Sequence, residues 1–209
     1  RHFNRSLLSP AGFVVLIEDR DVTLPDGTRI PNGEDFRNRF HLLPFVKADL
    51  FVPCGGRPRS ININNWTQIL DDRGKPRFRA IVEGANLFIT QDARLRLEEA
   101  GVLLIKDASA NKGGVTSSSL EVLASLALTD SEYASLMMVR DGVASDFRKR
   151  YVEDIIKKIR NNAYLEFAAL MAERKRSGTA CSILSDQLSR KINKLADAIQ
   201  DSHLPNDKQ

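Results

Sequence analysis

The stretch IVEGANLFITQDARLRLEEAGVLLIKDASANKGGVTSSSLE, residues 81–121, decides the fold. The apolar run Ala80-Ile81-Val82 reads as a buried strand that enters the glycine turn Glu83-Gly84-Ala85-Asn86, with a helix-like segment at residues 90–100 beyond it. A second strand, Gly101-Val102-Leu103-Leu104-Ile105, leads to the turn Asn111-Lys112-Gly113-Gly114-Val115, ahead of a helix at residues 117–128. Strand, turn and helix in repetition imply an open α/β sheet, whose ligands bind in the crevice outside the carboxyl ends of the strands. Asn86 and Asn111 therefore face the expected site.

Upstream, residues 12–17 (GFVVLI) form an apolar, β-branched run that predicts a buried strand. Asp26-Gly27 between two short apolar flanks predicts a hairpin, which Pro25 confines to an edge. A helical turn or two is expected at residues 35–43, strands at 48–52 and 78–82, a short helix at 65–70 and a turn at 71–76. The expected fold is α/β: a partial Rossmann-like parallel sheet with helices on both faces, followed by a C-terminal helical segment. Residues 1–128 would form the distal part of a dinucleotide-binding domain, and residues 129–209 the helices packed on it.

In that last part the period changes. Val152, Ile155, Ile156, Ile159, Ala163, Phe167, Leu170 and Met171 share one helical face, and after Gly178 so do Ile183, Leu184, Leu188, Ile192, Leu195 and Ile199. Gly178 reads as a helix stop, Ser177 or Thr179 as the next N-cap, and the tail after Leu204 as frayed. The apolar stripe must be covered, by the sheet or by another subunit.

Composition narrows the function. A net charge of +4 is scattered rather than clustered, which argues against a nucleic-acid partner. No apolar run approaches the roughly 20 residues of a membrane span. The three histidines lie far apart and the two cysteines, Cys54 and Cys181, form no CxxC, so no metal site is expected. Free cysteines fit a reducing compartment, the cytoplasm or alternatively the mitochondrion. The chain begins Arg1-His2-Phe3 without Met, as a fragment would.

No GxGxxG phosphate loop occurs between a strand and a helix. Either the chain is a different α/β fold, or it is the second half of a dinucleotide domain whose first half lies upstream. A turn asparagine also bonds its own backbone in many proteins, and the residues alone leave that alternative open for Asn86 and Asn111.

Three motifs in order, Phe51-Val52-Pro53-Cys54-Gly55-Gly56, Val82-Glu83-Gly84-Ala85-Asn86 with Thr90, and Ala110-Asn111-Lys112-Gly113-Gly114-Val115 with Ser118, resemble the glutamate dehydrogenases of the Glu/Leu/Phe/Val dehydrogenase superfamily. The match is to their large NAD-specific type, in which the second motif continues Leu-Phe-Ile-Thr, as at residues 87–90, where smaller relatives have a proline-threonine run. The resemblance covers about residues 50–128 and thins toward residue 26.

That resemblance implies NAD as cofactor and L-glutamate and 2-oxoglutarate as substrate and product, in a whole enzyme that is a homo-oligomer. Pro53, Cys54, Gly55, Gly84, Asn86 and Asn111 would contact the cofactor, and Val115 and Ser118 the substrate. Gly113 and Gly114 would admit the ligand close to the backbone, at a helix N-terminus suited to anions. Cys54 would be a small half-buried side chain without a thiol role. The family's catalytic lysine and aspartate belong to a domain preceding this one, so no catalytic residue is expected here and the chain alone would be inactive. Lys106, Asp107 and Lys112 read as surface or supporting residues. Two alternatives stay open: a non-catalytic assembly or regulatory module, and an amino-acid dehydrogenase of different specificity, since relatives acting on apolar amino acids carry an apolar residue at the Ser118 position.

Overall fold

A computed structural model describes Asn4, Leu8, Ser9 and residues 12–55 and 57–202. Gly56 and the tail after Leu204 lie outside the described residues. The Asp26-Gly27 hairpin joins β1 (Arg20–Thr23) to β2 (Arg29–Asn32), antiparallel. The Asp26 carboxylate accepts the Thr28 N–H at 2.9 Å, and Gly27 takes φ +85°, a region open to glycine. Asn32 then caps α1 (Gly33–Arg39) by accepting from the N–H groups of Glu34 and Asp35.

Residues 12–17 do not form the expected strand. The Asp19 carboxylate takes the Leu16 N–H at 2.8 Å and the Asp19 N–H donates to the Leu16 carbonyl, which folds the run into a turn. That turn crosses Gly33 so closely that a Cβ there would stand 1.8 Å from the Leu16 carbonyl oxygen. An apolar β-branched run becomes a strand only where a neighbour completes its ladder.

Strands β3 (Ala48–Phe51), β4 (Phe78–Val82) and β5 (Leu103–Ile105) form a parallel sheet in the order β3-β4-β5. Its register aligns Leu50, Ala80 and Leu103 in one row, and Phe51, Ile81 and Leu104 in the next. Ile81 and Leu104 are fully buried beneath α2 (Gln91–Glu99) and the short 3-10 helix Trp66–Ile69, packed with Ile61, Ala93 and Leu97. On the opposite face Val82, Leu103 and Ile105 meet Leu170 of α6 (Asp146–Ser177) and Cys181 and Leu184 of α7 (Cys181–Gln200). Helices thus flank both faces, as the alternation of the sequence implies. Cover on this second face thins toward β3, where Leu50 is 52% exposed. Arg77, immediately before β4, donates to the carbonyls of Leu42, Leu43, Val46 and Gln68 and so fixes the loop that leads into β3.

After α5 (Asp130–Leu136), Ser145 caps α6, and Gly178 ends it at φ +70°. Neither Ser177 nor Thr179 caps α7: its N-cap position is Ala180, with no side-chain cap. Glu98 of α2 does that work instead, taking the Ser182 N–H at 3.2 Å and the Ser182 hydroxyl at 2.5 Å. Two further polar contacts seat the helix: the Ser109 and Ser185 hydroxyls are 2.6 Å apart, and the Lys106 ammonium donates to Asp186 at 2.8 Å. The expected apolar stripe is covered only at its start, where Cys181 and Leu184 pack beside the buried hydroxyls; Ile192, Leu195 and Ile199 remain exposed.

Candidate functional site

Three strand ends meet at the carboxyl edge of the sheet. After β3 comes the Pro53-Cys54-Gly55 turn, after β4 the turn at residues 83–86, and after β5 the short helix α3 (Asp107–Ala110), then Asn111. The Ala85 N–H donates to the Pro53 carbonyl at 2.7 Å. A Cβ at Gly84 would stand 3.0 Å from the Cys54 sulfur and 3.2 Å from the Pro53 oxygen, so any larger residue there would have to push the neighbouring turn back by a few tenths of an ångström. Cys54 is exposed rather than half-buried, because the residue it lies across has no side chain to cover it.

The asparagines converge. Asn111 Nδ2 donates to Asn86 Oδ1 and, at 3.4 Å, to the Gly84 carbonyl. This joins the ends of β4 and β5 through side-chain amides. Asn86 Nδ2 and Asn111 Oδ1 have no protein partner among the described residues.

The second glycine turn differs from expectation. Helix α4 (Lys112–Ala127) starts directly after Asn111, so Lys112, Gly113 and Gly114 form its first turn instead of a loop. A Cβ at Gly113 would touch Ile159 at 3.4 Å, so glycine here brings α4 close to α6. Lys112 reaches across to Glu166 of α6, 2.7 Å from both carboxylate oxygens. Along α4, Asn111, Val115 and Ser118 follow the i, i+4, i+7 spacing of one helical face. Val115 and Ser118 are both exposed. The Ser118 hydroxyl donates to the Gly114 carbonyl at 2.9 Å, as does that of Ser117.

Beneath the asparagines lies a buried charge cluster. Arg94 Nε donates to Glu83 Oε1 at 2.7 Å, and Nη2 donates to Glu83 Oε2 at 2.9 Å and to Asp107 Oδ1 at 3.1 Å. Burial alone would lower the Arg94 pKa, but its bonds to the Glu83 carboxylate outweigh that and hold it above the ordinary arginine value. Lys106 and Asp107 are buried, not surface residues, and support the site from below. Sequence reasoning missed Arg94 and the burial of Glu83. The available signal was an arginine between Ala93 and Leu97 on the apolar face of α2, a position that requires a buried counter-charge.

Beside Pro53 and Gly55 opens a cavity of about 520 Å³ walled by His41, Phe51, Arg57 and Phe88. The His41 ring stacks on Phe51 with centroids 6.1 Å apart, and burial lowers its pKa, with Arg77 adding to the effect. Neither asparagine lines this cavity.

Comparison with known proteins places the chain. The family model described as Glutamate/Leucine/Phenylalanine/Valine dehydrogenase matches residues 18–178. The chain belongs to this family. It is 53% identical over 204 residues to glutamate dehydrogenase 2 of Dictyostelium discoideum, covering 98% of this chain and 20% of that protein. The probable NAD-specific glutamate dehydrogenase of Schizosaccharomyces pombe is 52% identical, with 93% of this chain and 17% of that protein covered. For the NAD-specific glutamate dehydrogenase of Neurospora crassa the values are 50% identity, 97% and 19%. The chain therefore spans about a fifth of the length of these relatives, and the family match reaches beyond the three motifs to the hairpin and to Gly178. Among the described residues no helix is long and apolar enough to cross a membrane.

Proposed function

We propose that this chain is the nicotinamide-positioning part of an NAD-dependent glutamate dehydrogenase, which oxidatively deaminates L-glutamate to 2-oxoglutarate and ammonium. The observation that carries the proposal is the Asn86–Asn111 pair at the carboxyl edge of the parallel sheet. Its internal hydrogen bond leaves one N–H₂ group on Asn86 and one carbonyl oxygen on Asn111. A donor beside an acceptor fits the carboxamide and ribose of a nicotinamide nucleotide. NAD, when bound, supplies the acceptor for the hydride leaving the substrate α-carbon.

Every other contribution belongs to the chain's own side chains. Pro53, Cys54 and Gly55 form the small-residue floor beside Gly84, and the asparagine amides orient the nicotinamide end. Val115 and Ser118, on the face of α4 that begins at Asn111, meet the side-chain end of the substrate. Lys106 and Lys112 hold Asp186 and Glu166, so neither is assigned proton transfer. Acid–base chemistry is assigned to residues outside these 209. Exposed apolar rows on the helices support a homo-oligomeric whole enzyme, and the free thiols of Cys54 and Cys181 suit the cytoplasm or the mitochondrial interior.

The test is Asn86→Ala in the full-length enzyme. Loss of a hydrogen bond of about 1 kcal/mol should raise the KM for NAD roughly fivefold or more. An unchanged KM for NAD would overturn the assignment.

A further inference from the structure

Three buried charges, Glu83, Arg94 and Asp107, lie under the asparagine pair, and their geometry is that of a clamp. Glu83 stands at the end of β4 and opens the turn that carries Asn86; Asp107 stands just after β5, four residues before Asn111. Arg94, reaching in from α2, bonds both carboxylates with one guanidinium. Each carboxylate also holds backbone just after Asn86. Asp107 Oδ2 accepts the Leu87 N–H at 2.8 Å, and Glu83 Oε2 accepts the Ile89 N–H at 3.2 Å.

Leu87 has φ +55°, a left-handed conformation that a leucine does not adopt unaided. Something must hold it there. Asp107 takes its N–H, while its carbonyl accepts the Arg59 N–H at 2.7 Å. Net stability is a poor reason for such a cluster, since buried ion pairs commonly do no better than apolar side chains of similar volume. Orientation is the better reason.

We propose that Arg94 and Asp107 are positioning residues for the nicotinamide end of the cofactor. The clamp fixes the separation of the β4 and β5 ends and the peptide after Asn86, so that the Asn86 and Asn111 amides present one geometry to the ligand. This rests on the assignment of Asn86 as a cofactor contact. Neither Arg94 nor Asp107 touches the cofactor; both act through the asparagine turns.

The experiment uses the full-length enzyme carrying Asp107→Asn, Asn86→Ala, or both. Asparagine at position 107 keeps the size but sets a donor against either Arg94 or the Leu87 N–H. For Asp107→Asn the KM for NAD should rise about threefold, within the rise that Asn86→Ala itself causes, with the KM for glutamate unchanged, and amide exchange in residues 84–89 should quicken. In the Asn86→Ala background the same change should add less than about 1.5-fold, because most of its effect passes through Asn86, whose following peptide Asp107 holds. If the two effects multiply in full, or if Asp107→Asn leaves the KM for NAD alone while Asn86→Ala raises it, the clamp does not position the cofactor and the assignment of Asn86 stands. If Asn86→Ala itself changes nothing, the assignment of Asn86 fails and the clamp proposal with it. Should Asp107→Asn fail to fold, Arg94→Lys, which keeps the charge but loses the fork, is read by the same KM comparison.

Discussion

Ser118 shows how much a single hydroxyl must do. Its proton is engaged by the Gly114 carbonyl, one turn back in α4. An ionised carboxylate only accepts, so to hold the glutamate side chain Ser118 must release that bond and rotate. The release is cheap, since such back-bonds to the preceding turn add little to a helix. Ser118→Ala removes the donor without adding bulk and should lower kcat/KM for glutamate by about 10- to 100-fold in the full-length enzyme, the range for a hydrogen bond to a charged group. Undiminished glutamate turnover would move the specificity role elsewhere on α4. That Asn86 and Asn111 come together was legible, because their turns follow adjacent strands. Arg94 was not. In the run Asp92-Ala93-Arg94-Leu95-Arg96 two arginines look alike, yet Arg94 turns inward to Glu83 while Arg96 pairs with Glu99 in solvent.

At the scale of elements, strands β3, β4 and β5 and the Asp26-Gly27 hairpin followed from local pattern, because their apolar runs end at residues that stop a strand. Two elements did not. The run at residues 12–17 has the right composition but no ladder, and the glycine pair at 113–114 sits in the first turn of a helix, with Gly113 facing Ile159 of α6 and Gly114 facing open space. The start of α7 was equally hidden, since its cap comes from another helix. Burial pushes the Glu98 carboxyl up, against the hydrogen bonds from Ser182 that pull it down. The folded protein thus holds this proton more tightly than the unfolded chain does. Stability from this group is greatest at the acid end and falls as pH rises from the usual glutamate range through the raised value. Glu98→Gln cannot charge, so the difference in unfolding temperature should move in the variant's favour between about pH 4.5 and pH 7. A difference that does not vary with pH would sink this account.

For the molecule as a whole, several large apolar side chains stand in the open. Leu123 and Leu126 on α4, Leu165 on α6 and Leu195 on α7 are all exposed, and β3 is an edge strand with Leu50 open beside it. Apolar rows of this kind mark contact surfaces. The 209-residue polypeptide alone should therefore self-associate, seen as a sedimentation coefficient that rises with concentration; a monomer at every concentration would mean that these rows need no cover. Pattern in the sequence revealed that the stripes exist, but which parts stay bare depends on where the sheet ends and the helices run on past it.

The bond between Glu98 and Ser182 spans 84 positions of chain. Helix α7 takes the cap of its first turn from α2, so its start is completed only by docking. The two helices therefore share one fate: loosening α2 should unpin the start of α7, far away along the chain.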